Sequence, residues 1–195
     1  MRQLPNFISI LRTALAIWLA FYVLHYTENQ GVLIQAFWLT WFVIILDWVD
    51  GLAARALKVE SLFGAFFDIA CDRIIELVYI SLFVVLKWIP FWILIVFLVR
   101  GILVDGIRGF ASKEGKTAFG KTSMMETKIG HFLTSSRFTR APYGTIKAVA
   151  FSFMFLAQSL FPQYLGLEMF LIYLMTFFCV VRGVPVLIEG RRFFG

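Results

Sequence analysis

Apolar runs of bilayer length, set one after another and separated by short polar breaks, limit what this chain can fold into. The first extends from Phe7 to about Tyr26. Others run from about Val32 to Asp47, Leu62 to Leu86, Pro90 to Arg108, Tyr143 to Phe161 and Leu165 to Ile188. Each is near the ~20 residues a helix needs to cross roughly 30 Å of hydrocarbon. Hydrocarbon leaves backbone N–H and C=O groups no outside partner, so such runs form helices. With 61% hydrophobic residues among 195, too little polar surface remains for an ordinary soluble domain. The expected fold is all-α and polytopic, with six transmembrane helices and both termini on one side. The first run has no small-residue cleavage site at its end and reads as a retained helix. No internal repeat or second domain is visible, so residues 1–195 read as a single membrane domain in which about 109–142 forms one extended loop.

The net charge of +6 would suggest nucleic acid in a soluble chain, but here it is gathered in the segments between apolar runs, where it reports orientation. Arg2, Arg55, Lys58, Lys113, Lys116, Lys121, Lys128, Arg137, Arg140, Arg191 and Arg192 fall on one side, and Lys87 on the other. The basic side is therefore expected to face the cytoplasm, with membrane lipids as surroundings and no nucleic-acid partner. Within the long loop, Met124 to Phe132 has weak amphipathic character and is expected to lie on the membrane surface against anionic lipid; a solvated loop is the alternative. Cys71 and Cys179 have no CxxC or histidine partner at ligand spacing and read as packing residues.

Four aspartates interrupt this apolar pattern, in Asp47-Trp-Val-Asp50-Gly51-Leu-Ala-Ala54-Arg55 and in Gly64-Ala-Phe-Phe-Asp68-Ile-Ala-Cys-Asp72. Asp47 and Asp50 are three apart and Asp68 and Asp72 four apart, so each pair projects from one face of a helix. A polar turn at Lys58 and Glu60 is expected to fold the second and third helices into a hairpin that joins the pairs. Four carboxylates at one depth repel strongly unless cations hold them. All-oxygen ligation favours Mg2+ or Mn2+, with Ca2+ open. Small residues around them leave room for a bulky ligand, and Arg55 is placed to meet an anion, which together suggest a diphosphate held by two metals. A carboxylate not committed to metal could take a proton from a nucleophile.

The pattern D-x2-D-G-x2-A-R-x8-G-x3-D-x3-D is complete across Asp47 to Asp72 and resembles the CDP-alcohol phosphatidyltransferase family. The resemblance implies a six-helix membrane enzyme, with its active site at the cytoplasmic end of the bundle, that moves a phosphatidyl group from CDP-diacylglycerol to an alcohol and releases CMP. It implies that Asp47, Asp50 and Asp68 are metal ligands and that Asp72 is the general base and also a ligand. Gly51, Ala54 and Gly64 would line the nucleotide pocket, Arg55 would contact the phosphates, and Asn6 would join the donor site. A homodimer in a bacterial inner membrane is the expected setting.

The acceptor is read from other segments. Leu4-Pro5-Asn6-Phe7-Ile8-Ser9-Ile10-Leu11-Arg12 is similar to the opening P-N-x-I-T-x-x-R of the phosphatidylglycerophosphate synthase branch, and Leu62-Phe-Gly-Ala-Phe-Phe-Asp68 to its R-F-G-A-F-L-D. Arg100 and Arg108, eight apart, and Lys147 match its basic positions, so these three are the candidates for binding a phosphorylated polyol, glycerol 3-phosphate first. Gly101, Thr145 and Ala148 depart from that branch. Ala70-Cys71-Asp72-Arg73 is similar to the C-D-R of members that use inositol phosphate, which makes that acceptor the alternative. A cation-coupled transporter is the remote one, because intramembrane carboxylates also mark ion pathways, although here they cluster at one end.

Overall fold

Helix α1, Leu4–His25, starts with Pro5 in its first turn, where a missing N–H costs nothing, and runs through Leu, Ile and Ala without an internal breaker. The computed structural model describes residues 4–57, 62–113, 115 and 123–194. Asn29 starts α2, Gln30–Leu57, by accepting the Gly31 N–H on its side chain at 2.9 Å. Helix α3, Leu62–Val85, ends where Lys87 adopts φ 61°, the left-handed conformation usually left to glycine, while the N–H of Trp88 bonds back to the Phe83 carbonyl at 2.9 Å. Then follow α4, Phe91–Lys113, the single turn α5, Lys128–Gly130, a wider π-type turn at His131–Ser135, α6, Arg137–Leu160, and α7, Leu165–Gly190. Short 3-10 turns occupy Pro162–Tyr164 and Arg191–Phe194. Among the described residues there is no strand, and the all-α expectation holds.

Two differences from the sequence reading concern helix ends. The second helix passes Asp47 and continues to Leu57, so Asp50, Gly51, Ala54 and Arg55 are helical, although their side chains lie outside the described ones. The connection expected over about 109–142 is shorter, because α4 reaches Lys113 and α6 begins at Arg137. Pro142 falls near the start of α6 rather than before it.

Among the described residues three helices are long and apolar enough to cross a membrane, with spans at Asn6–His25, Gln30–Val49 and Leu165–Gly190. Helices α3, α4 and α6 have 24, 23 and 24 residues, enough length at ~1.5 Å per residue, but α3 and α4 carry more charge and α6 is less apolar. Large apolar side chains point outward, among them Phe21, Trp38, Trp48, Ile102 and Phe177. Apolar exteriors of this extent suit lipid, not water.

The chain divides into two compact units, residues 1–90 with 150–168 and residues 91–149 with 169–195. In the first, α1 packs against both α2 and α3. Tyr79, Phe83, Trp88, Phe151 and Phe155 form its aromatic core, and the Tyr79 hydroxyl is 3.1 Å from that of Thr40. In the second, Val104, Ile107, Ala111, Met124, Met125 and Val186 form a core. The expectation of a surface segment from Met124 to Phe132 is thus corrected for the two methionines, which are buried; Ile129 and Phe132 are exposed. Cys71 and Cys179 are buried thiols not joined in a disulfide, as packing residues should be.

Helices α4 and α7 approach closely within the second unit. Gly183 lies under Arg100, whose Cγ would be 2.9 Å from an added Cβ, and Gly190 lies under Ile107 so closely that an added Cβ would overlap it. Arg100 and Ile107 are seven residues apart, as are Gly183 and Gly190, so the two helices run in the same direction along a seven-residue seam opened by glycine.

Candidate functional site

Three of the four aspartates converge in the first unit. Asp47 comes from α2 and Asp68 and Asp72 from successive turns of α3, and each offers a carboxylate oxygen within 4.8 Å of the others. Among the described residues this is the one grouping of metal-ligand side chains of that kind. Their side chains are 48%, 44% and 45% exposed, so the cluster opens outward.

Behind it lies Arg12 of α1, 2% exposed. One terminal nitrogen donates to both Asp47 and Asp72, the latter at 2.7 Å, and the other donates to Asp68. Ser9, one turn earlier on α1, sits with its Oγ 3.5 Å from the Asp68 carboxylate. A buried guanidinium is retained only where anions satisfy it, and here three do so at once. Arg12 closes the opening motif quoted above, and it enters the site only through its tertiary partners. The signal in the sequence is an arginine five residues into an apolar run; its partners are set only by the packing of α1 against α2 and α3.

The donor set fits a hard divalent cation. Oxygens on opposite sides of Mg2+ stand about 4 Å apart, and around Ca2+ about 5 Å. Carboxylate oxygens within 4.8 Å of one another reach that geometry with small side-chain shifts. Arg12 already shows that the cluster gathers positive charge. Asp47, Asp68 and Asp72 would therefore hold the metal.

The remaining candidates are placed as follows. Asn6 is half-buried on α1, and Gly64 half-buried near the start of α3. Arg73, beside Asp72, pairs with the buried Glu76, which accounts for both as structural charges. In the second unit, Arg108 stands 3.8 Å from Asp105. The Lys147 ammonium lies 5.9 Å from the Tyr143 ring centroid, and the buried Arg182 stacks on the same ring while donating to the Thr139 carbonyl at 2.8 Å. Arg100 keeps its Nε buried with no hydrogen-bond partner.

A family model described as CDP-alcohol phosphatidyltransferase matches residues 2–181. The chain belongs to the CDP-alcohol phosphatidyltransferase family. The match reaches into both compact units and takes in Arg12, the four aspartates and Arg100, Arg108 and Lys147. A protein of Mycobacterium tuberculosis with the provisional name cardiolipin synthase is 28% identical over 193 residues, covering 96% of this chain and 88% of the relative. The Mycobacterium bovis protein of the same name gives the same figures. A CDP-diacylglycerol–glycerol-3-phosphate 3-phosphatidyltransferase of Wigglesworthia glossinidia brevipalpis is 33% identical over 85 residues, 42% of this chain and 46% of that protein. As a CDP-alcohol phosphatidyltransferase the chain is an enzyme of phospholipid head-group transfer, and its acidic cluster could hold the divalent cation on which the family depends.

Proposed function

We propose that this CDP-alcohol phosphatidyltransferase is a phosphatidylglycerophosphate synthase that transfers the phosphatidyl group of CDP-diacylglycerol to glycerol 3-phosphate and releases CMP. The observation that carries the reaction is the convergence of Asp47, Asp68 and Asp72 from a motif complete across Asp47 to Asp72. When bound, two divalent ions, Mg2+ or Mn2+, would screen the diphosphate of the donor. Asp50 completes the ligand set, Gly51, Ala54, Gly64 and Asn6 shape the donor pocket, and Arg55 meets the phosphates. Asp72 takes the proton of the acceptor hydroxyl as that oxygen forms its bond to the lipid-side phosphorus, and the bond to CMP breaks.

Glycerol 3-phosphate is preferred because the basic residues on α4 and α6 suit an acceptor with its own phosphate. Arg100 supports this most directly, since a buried guanidinium nitrogen with no partner is stabilised by an anion. The working form is a six-span protein with its site facing the cytoplasm of a bacterial inner membrane, and the outward apolar faces offer surface for a homodimer. The parallel run of α4 and α7 suits six spans, because helices separated by one return crossing point the same way. A second reading follows from the mycobacterial relatives, whose name puts cardiolipin as the product and so a phosphatidylglycerol lipid as acceptor. Inositol phosphate stays as the alternative carried by Cys71-Asp72-Arg73.

The test is CMP release from CDP-diacylglycerol by purified protein with Mg2+ or Mn2+ and a panel of acceptors. Glycerol 3-phosphate should give the fastest turnover, and chelation should abolish it. Faster turnover with phosphatidylglycerol or inositol phosphate would replace the acceptor, and no CMP with any alcohol would remove the reaction.

A further inference from the structure

The position of Arg12 bears on how the metal-binding carboxylates are kept together. Three carboxylates on two helices, with oxygens inside 4.8 Å, would spread apart if nothing neutralised them. The guanidinium reaches all three from a site almost closed to solvent, whereas the carboxylates are nearly half open on the other side. A planar fork with donors on both terminal nitrogens can do this; an ammonium, a point charge on a flexible stem, cannot span all three in the same way.

We propose that Arg12 is a positioning residue, a built-in cation that keeps Asp47, Asp68 and Asp72 gathered before any metal arrives and that opposes the metal's charge once it does. It holds the ligands in place through the fork, and lowers metal affinity through its charge. Two consequences separate this role from mere packing. Loss of the fork destabilises the metal-free protein much more than the metal-saturated one, because bound cations then gather the carboxylates in its stead. Loss of the charge tightens metal binding, since a positive neighbour at hydrogen-bond distance from the ligands is gone.

The inference rests on the proposed reading that metal binds at this cluster, and the experiment separates the two. Mn2+ binding to detergent-purified full-length protein would be followed by electron paramagnetic resonance, and thermal unfolding recorded with and without Mn2+, for wild type, Arg12→Lys and Arg12→Gln. Arg12→Lys, which keeps the charge, should unfold several degrees lower without Mn2+ and within about a degree of wild type with saturating Mn2+. Arg12→Gln should bind Mn2+ roughly tenfold tighter than wild type, or be recoverable only when Mn2+ is present throughout purification. Equal destabilisation of Arg12→Lys in both conditions would overturn the role, as would Arg12→Gln binding Mn2+ no tighter than wild type. If Arg12→Gln cannot be recovered at all, the Arg12→Lys comparison decides alone. Wild type that binds no Mn2+ would count against the metal reading itself, a result distinct from either.

Discussion

At the scale of residues, the proposed reading divides the labour of the acidic cluster between Asp72 and Arg12. Asp72 follows Asp68 by one turn and shares an Arg12 nitrogen with Asp47, so its amide analogue keeps the shape and most of the hydrogen bonding but cannot accept a proton. Asp72→Asn is expected to lower CMP release by about 10²- to 10⁴-fold, the range of a lost general base. Donor binding, measured by retention of labelled CDP-diacylglycerol, should change little; full activity in this variant would remove Asp72 as base. The aspartates could be read in the sequence because their spacing alone sets their faces. Arg12 could not, because what matters about it is the packing of α1 on α2 and α3, which no local pattern carries. The expected hairpin turn at Lys58 and Glu60 lies outside the described residues, and among those described it is Arg12 that ties the aspartates of the two helices together.

At the scale of elements, apolar run length located the six long helices to within a few residues at most ends. It failed where helices continue into polar sequence. Helix α2 runs ten residues past Asp47 and α6 starts six before Tyr143, because helical hydrogen bonding continues in water once a membrane-buried turn has nucleated it. The α4–α7 seam was equally hidden, since Gly183 and Gly190 are ordinary within an apolar run until a partner helix is laid on them. Their variants should differ. Gly190→Ala drives a Cβ into the stiff, β-branched Ile107 and should destabilise the protein by about 1–3 kcal/mol, read as a lower Tm. Gly183→Ala instead displaces the Arg100 side chain, so its larger effect should be a raised KM for the acceptor. Equal Tm losses with unchanged KM in both would argue against Arg100 as an acceptor residue.

At the scale of the whole molecule, charge placement carries the proposed orientation, and the buried cysteines make it testable. Cys71 and Cys179 are buried, which leaves a low background for thiol labelling. Lys87→Cys and Lys128→Cys replace exposed lysines on the two expected sides. In intact cells of a bacterial host, a membrane-impermeant maleimide should label Lys87→Cys and leave Lys128→Cys unlabelled until the cells are opened. The reverse pattern would turn the active site outward and end the cytoplasmic assignment.

The stretch from Met124 to Thr127 is fastened by residues made much later. The Glu189 carboxylate accepts the N–H groups of Glu126, at 2.7 Å, and Thr127, together with the Thr127 hydroxyl, and Arg192 holds the Met124 carbonyl and the Glu126 side chain. Partners 63 and 68 residues apart leave a ribosome on the order of 3–13 seconds of further synthesis between them. During that interval α6 and α7 emerge while Met124 and Met125 still lack Val186, their core neighbour from α7. The second unit thus cannot close until α7 is made, and until then the nascent chain carries a methionine pair without its core neighbour.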